Sequence, residues 1–452
     1  MRFRVRTDPR EDAGADGEIL LDWFEDDRAG STVWYDAPQH PFLKGLVPSP
    51  VAMDLLRLGG AVFCADKIAL REHAPDAWTR ELTLTLPVSD PNLWSTAAAL
   101  VENTLGSLSG DRWSTTFILG LPREDDEHED TEEGPVLPAP AADAVTLFSG
   151  GLDSLAGAIE LLEDGQTLIL VGHHDSPFTD HIQTELFRQL AGQFAAGQAT
   201  QRRLLLRPAP RNNRQARALP GGPGEITTRT RSLLFLSAGV AVADALGAGT
   251  TLYLPENGMI GVNVPLTAAR VGSLSTRTTH PRFISHMVEL LGTLGLDHPL
   301  ENPFRLATKG EALVRSPRRD ILDPLALASV SCSHPEAARW HTGRKGNCGY
   351  CYPCMIRRAS LHRIGLDDAS EYDRDALTDI DLLSRTDLES GRDLRALLAS
   401  LGQPARTVDV LRNGRIPGGE TRAFFELYCR GRDELRAWLT DGGSAAIIAR
   451  LG

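Results

Sequence analysis

The chain has 452 residues, of which 42% are hydrophobic and 24% are charged, a composition typical of a globular protein with more than one domain. Its 47 basic and 60 acidic residues leave a net charge of -13, which argues against a general DNA-binding or RNA-binding protein. The longest apolar segment, near residues 232–243, is too short to span a bilayer, and the first residues lack the apolar core of a signal peptide, so we expect a cytoplasmic protein with no membrane association.

Residues 1–121 predict an N-terminal α+β domain. Residues 81–86 alternate apolar and polar side chains as a strand does, and both residues 1–6 and residues 113–121 have the character of strands. Because exposed aromatic side chains are common interface anchors, tryptophans here could make the domain a docking platform for a protein partner. We interpret five tryptophans of this region as core or interface anchors: Trp23, Trp34, Trp78, Trp94 and Trp113.

Residues 122–140 predict a linker. The segment contains a dense acidic run at 123–133, which cannot be buried, and then several prolines that stiffen the chain. We therefore expect a mobile connection between two domains. An acidic metal site is the alternative, although the run lacks the glycine-punctuated spacing of a calcium loop.

Residues 141–365 predict an α/β domain in which strands and helices alternate, and therefore a parallel sheet with helices on both faces. In such sheets a ligand binds at the carboxyl ends of the strands, where residues 149–154, 173–175 and 256–257 would meet. Residues 211–224 are either a plain surface loop or a flap over the substrate. Residues 366–452 predict an amphipathic helical extension. The expected strands are 145–148, 167–172, 203–207 and 250–255, and the expected helices are 155–163, 180–194 and 230–246.

The segment from Val145 to Ser154 predicts a phosphate-binding turn between a strand and a helix. Four mostly apolar residues form the strand, Gly150 and Gly151 end it, and apolar residues then recur at helical spacing. The glycines let the backbone approach a ligand, the hydroxyls of Ser149 and Ser154 can donate, and the unpaired N–H groups of a helix start favour an anion. An ordinary strand-to-helix turn would use the same residue types for their geometry.

Four cysteines, at Cys332, Cys348, Cys351 and Cys354, predict a metal site. In a cytoplasmic protein they stay reduced, and three of them two residues apart around a glycine can wrap one ion while the fourth closes a tetrahedron. Such a closed four-sulfur site is structural and contributes folding free energy. An iron–sulfur cluster has the same ligands and is the alternative.

Together these motifs resemble the PP-loop ATP-pyrophosphatase superfamily, whose loop is Ser-Gly-Gly-x-Asp-Ser, and within it the QueC family of 7-cyano-7-deazaguanine synthases. QueC proteins have one upstream cysteine and then Cys-Gly-x-Cys-x-x-Cys-x-x-Arg, here Cys332 followed by residues 348–357. Residues 228–237 are similar to the family's Arg-Asn-x-x-Phe-Leu-Ser helix start and place Arg231 at its arginine. Residues 303–311 are similar to its Pro-x5-Lys-x-Glu and place Lys309 at its lysine, one of only four lysines in the chain.

The resemblance covers about residues 144–365 and implies an enzyme that uses ATP, Mg2+ and Zn2+ and releases AMP and pyrophosphate. It implies that Ser149, Gly150, Gly151 and Ser154 hold the pyrophosphate, and that Asp153 orients Mg2+ or the loop. Lys309 and Arg231 would offset the charge that grows on the phosphates. The acid, by the same resemblance, is 7-carboxy-7-deazaguanine.

The chain differs from QueC on the acceptor side. Residues 172–177 replace the segment that QueC has after its second strand, the first two cysteines are further apart, and the N-terminal domain and C-terminal extension are additions. Large members with such additions, including the QatC type, occur in bacterial anti-phage defence operons and are thought to attach a deazaguanine to a partner protein.

Several functions therefore stay open from the sequence. A protein amine as acceptor gives a stable conjugate, whereas ammonia gives an amide and then a nitrile, as in queuosine-type biosynthesis. A tRNA sulfurtransferase also combines a PP-loop with cysteines, but its RNA needs a basic surface that a net charge of -13 does not favour. A non-catalytic partner-binding subunit is a further alternative, and an oligomer is compatible with each.

Overall fold

The structure, a computed structural model, describes residues 1–451 except 13, 25–29, 36–41, 122–140, 210–223, 228, 268–276, 336–345 and 388. The predicted linker at 122–140 and nearly all of the predicted flap at 211–224 lie outside the described residues. The part of the chain that is described forms two sheets, of four and six strands, with helices packed on them. Among its helices, none combines the length and the apolar character needed to cross a bilayer.

The smaller sheet belongs to the N-terminal region, and its four strands are parallel in the order β2-β1-β4-β5. The prediction of an α+β domain is therefore wrong, and the region is α/β. Alternation of apolar and polar residues marks a half-buried strand of either direction, whereas the helix between β4 and β5 carries the chain back so that the two strands run parallel. The elements are β1 (Arg2–Arg6), β2 (Glu18–Asp22), β3 (Val33–Tyr35), α1 (Pro50–Ile68), β4 (Glu81–Val88), α2 (Pro91–Ser109) and β5 (Arg112–Leu119).

The larger sheet has the order β10-β9-β6-β7-β8-β3. Its strands are parallel except β3, which comes from the N-terminal region and pairs antiparallel with β8 at the edge. The predicted parallel sheet with alternating strands and helices is confirmed. Its elements are β6 (Ala144–Leu147), α3 (Leu152–Glu163), β7 (Leu168–His174), α4 (Pro177–Ala191), β8 (Ala199–Pro208), α5 (Arg231–Leu246), β9 (Thr251–Tyr253), α6 (Gly258–Val262), α7 (Pro281–Thr293) and β10 (Leu300–Glu301).

Helices cover both faces of the larger sheet, as the buried strands require. Val145 and Ile169 face the core that contains α5 and α1, whereas Leu168 and Leu170 face the core that contains α3 and α4. Alternate residues of one strand thus enter different cores. Both cores are apolar, so a shift of one residue would expose the buried side chains of a central strand, and this fixes its register.

The N-terminal region shares a core with the larger sheet through α1, which lies against α5. A Cβ atom on Gly59 of α1 would lie 2.3 Å from the Ser237 hydroxyl and 3.0 Å from Cα of Leu234, so the two helices meet almost backbone to backbone. The predicted domain boundaries stay a prediction. Helix α1 packs on both sheets, against β4 of the smaller sheet and β8 of the larger sheet.

The five tryptophans of the N-terminal region are not exposed. Trp23, Trp94 and Trp113 are buried in the core, with 1%, 0% and 6% exposure, and Trp34 and Trp78 are half-buried. Their interpretation as core anchors is confirmed for the first three. The buried rings of Trp23, Trp94 and Trp113 cannot serve as exposed interface anchors, and a docking function of the N-terminal region stays a prediction.

Residues after β10 are helical wherever the structure describes regular elements, which confirms the predicted helical extension beyond residue 366. The long helix α13 packs against α10 and α6, and Trp438 on it donates a hydrogen bond from Nε1 to Asp367 at 3.0 Å. The extension thus covers the cysteine segment. The elements are α8 (Lys309–Val314), α9 (Arg319–Ala328), α10 (Tyr352–Arg363), α11 (Ile380–Ser384), α12 (Arg392–Leu401), α13 (Thr421–Gly442) and α14 (Ala445–Ile448).

Candidate functional site

The predicted phosphate-binding turn lies between β6 and α3. Gly150 has φ +81°, a left-handed conformation that favours glycine, and Gly151 is the N-cap residue of α3. The Ser149 hydroxyl accepts a hydrogen bond from the Gly151 N–H at 3.2 Å and lies 3.3 Å from the Ser154 hydroxyl. The N-cap residue is a glycine and has no side chain to cap this helix, and the Ser331 hydroxyl accepts a hydrogen bond from the Leu152 N–H at 3.3 Å. A helix start of this kind is suited to bind an anion.

A cavity of about 630 Å³ opens at this turn. It lies at the carboxyl ends of β6, β7 and β9, as expected for a parallel sheet, and it extends to the cysteine segment and to α12 of the C-terminal extension. The predicted meeting of three strand ends is confirmed. The wall includes Ser149, Gly151, Asp153, Ser154, Asp175, Ile226, Thr227, Arg231, Glu256, Thr279, Lys309, Cys332 and Asp393.

Asp153 and Lys309 form an ion pair in the wall of this cavity. Lys309 Nζ lies 2.7 Å from Asp153 Oδ2, which also accepts a hydrogen bond from Asn257 Nδ2 at 2.9 Å. Lys309 is 5% exposed and begins α8, whose N-cap Thr308 forms a capping box with Glu311. The other oxygen, Asp153 Oδ1, is buried with no hydrogen-bond partner among the described residues. An anionic oxygen of this kind fits a divalent cation.

Arg231 is the first residue of α5 and is fixed by the end of β7. Its Nε donates to Nδ1 of His173 at 3.1 Å, and Nη2 donates to the His173 carbonyl at 2.9 Å. The other ring nitrogen of His173 lies 2.9 Å from the Leu206 carbonyl, so the ring is neutral with its proton on Nε2. Burial and the charge of Arg231 lower the pKa of His173 to about 3, which keeps this acceptor neutral at any physiological pH.

Glu256 also lines the cavity, at one of the strand ends where a ligand was expected, although no chemical role was predicted for it. It follows β9 and accepts a hydrogen bond from the Thr279 hydroxyl. Burial, reinforced by the negative charge of Asp153, raises the pKa of Glu256 to about 7, although the Thr279 hydrogen bond and the charge of Lys309 lower it. A carboxyl group with this pKa can take up or release a proton near neutral pH. Its position after a strand was the available signal.

The structure brings most predicted site residues to one cavity. Six of them line it together, whereas Gly150 turns its carbonyl toward the Val330 N–H at 3.0 Å, and of the four cysteines only Cys332 reaches the wall. The catalytic and binding roles assigned to these residues stay predictions. The six residues are Ser149, Gly151, Asp153, Ser154, Arg231 and Lys309.

The four cysteines converge on one point beside the cavity. Their sulfur atoms all lie within 4.8 Å of one another, with 3.9 Å between Cys332 and Cys351 and 3.9 Å between Cys348 and Cys354. Zn–S bonds of about 2.3 Å in a tetrahedron place the sulfurs about 3.8 Å apart, so the donor set fits a single zinc ion. A cluster of several irons would hold the sulfurs further apart.

The backbone around the cysteines supports thiolate ligands. The N–H groups of His334 and Cys348 point to the Cys332 sulfur at 3.2 and 3.4 Å, and the Cys351 N–H points to the Cys348 sulfur at 3.4 Å. Gly349 has φ +88°, and a Cβ atom there would lie 2.1 Å from the Arg374 carbonyl. The turn that carries the cysteines is therefore shaped by glycine and by the segment after α10.

Comparisons with known proteins give limited similarity. A 7-cyano-7-deazaguanine synthase of Porphyromonas gingivalis is 32% identical over 78 residues, which are 17% of this chain and 36% of that protein. This partial similarity supports the resemblance to QueC, while the chain spans only about a third of the relative's length. No family model matches the chain, and no solved structure matches it.

The cysteine cluster predicts one zinc ion per chain. Replacing a buried ligand, as in Cys354→Ser, should abolish zinc binding, measured by elemental analysis, and lower the melting temperature, because a structural zinc ion contributes directly to folding free energy. The matched control is Cys429→Ser on α13, a cysteine outside the cluster, which should keep the zinc. Iron and acid-labile sulfide in the purified protein, in place of zinc, would contradict this assignment.

Proposed function

We propose that the chain is an ATP-dependent synthetase that activates a carboxylic acid as an acyl adenylate and transfers the acyl group to an amine. The observation that carries the proposal is the Asp153–Lys309 pair, which lies beside the glycine-rich start of α3 in a cavity large enough for a nucleotide and a second substrate. Similarity to a 7-cyano-7-deazaguanine synthase supports 7-carboxy-7-deazaguanine as the acid.

The first step in this proposal forms the adenylate. A carboxylate oxygen of the acid attacks the α-phosphorus of ATP, the bond between the α-phosphorus and the bridging oxygen breaks, and pyrophosphate leaves with the electron pair. The loop around Ser149 and Ser154 would hold the departing pyrophosphate. Lys309 and Arg231 are positively charged groups of the same cavity, so both can offset the charge that grows on the phosphate oxygens.

Asp153 Oδ1 is the group that would hold Mg2+, since it is a buried anionic oxygen with no partner among the described residues. A bound Mg2+ supplies positive charge against the phosphates of ATP. Lys309 holds the other oxygen of the same carboxylate at 2.7 Å, which keeps Oδ1 oriented. The two functions of Asp153 in the prediction, loop orientation and metal binding, are thus compatible.

The second step joins the acyl group to an amine. The amine nitrogen attacks the acyl carbon, the acyl–oxygen bond breaks, and AMP leaves. The nitrogen must then lose a proton, and Glu256 is suited to accept it, since its pKa of about 7 gives it substantial basic form at neutral pH. Thr279 holds the carboxyl group in place through its hydroxyl.

As acceptor we propose an amine of a partner protein, so that the reaction attaches a deazaguanine to that protein in the cytoplasm as part of anti-phage defence. Support comes from the resemblance to the large QueC-like proteins and from the position of the additions. Asp393 of the C-terminal extension lines the cavity, and the N-terminal region shares a hydrophobic core with the larger sheet. Ammonia is the second candidate, favoured by the function that the similar protein's name states.

Adenylate formation is tested by ATP–pyrophosphate exchange. With ATP, Mg2+ and 7-carboxy-7-deazaguanine, we expect exchange that falls about 100-fold or more in Asp153→Asn and in Lys309→Met, because each removes charge aimed at the phosphates. Asp164→Asn, at the exposed other end of α3, is the matched control and should keep full exchange. Full exchange in both cavity variants would rule out this site.

The acceptor is tested by mass spectrometry of the products formed from ATP, 7-carboxy-7-deazaguanine and ammonium. We expect adenylate and pyrophosphate without rapid nitrile formation, since the proposed acceptor is a protein amine. Rapid conversion to 7-cyano-7-deazaguanine in this mixture, with no other protein present, would favour the ammonia-dependent synthase instead.

Glu256 predicts a pH dependence of acyl transfer. Because its carboxylate is the base and its pKa is about 7, the ratio of the wild-type rate to the Glu256→Gln rate should be about 100 at pH 8 and should fall as the pH is lowered through 7. The ratio of the two rates, with excess ammonium as amine, isolates Glu256 because ionisation of the amine cancels.

The matched control for this experiment is Glu301→Gln on the neighbouring strand β10, where the side chain is exposed. It should retain the wild-type pH profile. A ratio of wild-type to Glu256→Gln rates that stays constant between pH 6 and pH 8 would show that Glu256 is not the base.

A further inference from the structure

Residues 224–227, 229 and 230 connect the N-terminal region to the cavity. They lead into α5, and two of them, Ile226 and Thr227, line the cavity together with Arg231. Their polar groups, however, bind to the N-terminal region. The Glu225 N–H donates to the Lys67 carbonyl at 2.8 Å, and Arg229 Nη1 donates to the Ser109 carbonyl at 2.7 Å.

Asp66, in the last turn of α1, is the centre of these contacts. Its Oδ2 accepts hydrogen bonds from the hydroxyls of Thr227 at 3.0 Å and Thr230 at 2.7 Å. Its Oδ1 pairs with Arg80 at 2.5 Å, and Arg80 also pairs with Asp111 at 2.6 Å. Asp66 and Thr230 are both 0% exposed. Both oxygens of the carboxylate are therefore bonded, which holds the side chain in one orientation. Loss of one of these partners would be costly, because it would leave a buried charge incompletely satisfied.

The Thr230 hydroxyl binds a side chain of another helix instead of the backbone of its own helix. Thr230 is the N-cap residue of α5, where a threonine oxygen ordinarily accepts a hydrogen bond from the helix backbone. Here no such cap forms in the described chain, and the hydroxyl donates to Asp66 instead. The start of α5 is thus tied to α1, and the next residue is Arg231.

We propose that Asp66 is a positioning residue, which holds Thr230 and thereby places the guanidinium of Arg231 in the cavity. This inference rests on the proposed function, in which Arg231 binds the phosphates of ATP. Arg231 is then fixed from two sides, by His173 at the end of β7 and by the Asp66–Thr230 bond at the start of its own helix. The N-terminal region, on this account, is part of the ATP site.

The ring of Trp78 adds to the same restraint. Arg229 lies over this ring at 5.6 Å and Arg71 lies over it at 4.8 Å, so the two guanidinium groups share one aromatic surface. Arg71 also pairs with Asp111 at 2.9 Å, the partner of Arg80. The contacts of Thr227, Arg229 and Thr230 therefore belong to one buried network that includes Asp66.

The test compares Thr230→Val, which keeps the shape and removes the hydroxyl, with Thr230→Ser, which keeps the hydroxyl. We expect Thr230→Val to lower kcat/KM for ATP about tenfold in pyrophosphate exchange, because a hydrogen bond to a charged group is lost, and Thr230→Ser to retain most of it. Equal activity of the valine variant and the wild-type protein would overturn the proposal.

A double-mutant cycle separates positioning from general stability. ATP affinity, measured by calorimetry, should fall about tenfold in Thr230→Val alone, whereas in an Arg231→Ala background the same change should have little effect. If Thr230→Val weakens ATP binding by the same factor in both backgrounds, then Thr230 does not act through Arg231 and the proposal is wrong.

Hydrogen exchange distinguishes failure of this inference from failure of the proposed function. Thr230→Val should speed amide exchange in residues 225–235 and leave β4 unchanged, whether or not the protein uses ATP. Faster local exchange in a protein without any ATP affinity would refute the proposed function while the Asp66–Thr230 restraint stands. Unchanged exchange in residues 225–235 would refute the restraint itself.

Discussion

The ion pair between Lys309 and Asp153 is the interaction on which the site depends. It joins the predicted phosphate-binding turn, at the start of α3, to the start of α8, and the two residues are 156 positions apart. Both groups are largely buried, so their charges are costly unless they stay paired or bind a ligand. The pair therefore holds the loop and the lysine together in the cavity wall and leaves the second carboxylate oxygen buried, with no hydrogen-bond partner among the described residues.

The two additions to the α/β core each contact a helix start that carries a cation of this cavity. At the start of α5, Asp66 of the N-terminal region binds Thr230 next to Arg231. At the start of α8, Glu434 of the C-terminal extension accepts hydrogen bonds from the Thr308 hydroxyl and the Gly310 N–H, on either side of Lys309. Arg231 and Lys309 thus each follow an N-cap threonine. The hydroxyl of each threonine donates to a carboxylate of an added region, Asp66 for Thr230 and Glu434 for Thr308.

Much of the core and of the site could be predicted from the sequence because the signals are local. Residues 145–154 combine an apolar run, two glycines and helical spacing, and the cysteine set has a spacing that few other functions need. The direction of the N-terminal strands could not be predicted, since alternation is the same in parallel and antiparallel sheets. Nor could the bond from Asp66 to Thr230, which joins residues 164 apart, or the raised pKa of Glu256, which arises from burial beside Asp153.

The arrangement also explains how a largely buried site accommodates several charged groups when no ligand is bound. Electrostatic stabilisation of a transition state is effective when the charged groups are already in place and need no reorganisation. Lys309 is held by Asp153, and Arg231 is held by a histidine whose neutral ring accepts its Nε–H. In the proposed reaction, the phosphates of ATP would therefore bind to cations that are already in position. Arg231 and Lys309 are positioned at the starts of two helices, and carboxylates outside the α/β core hold those helix starts.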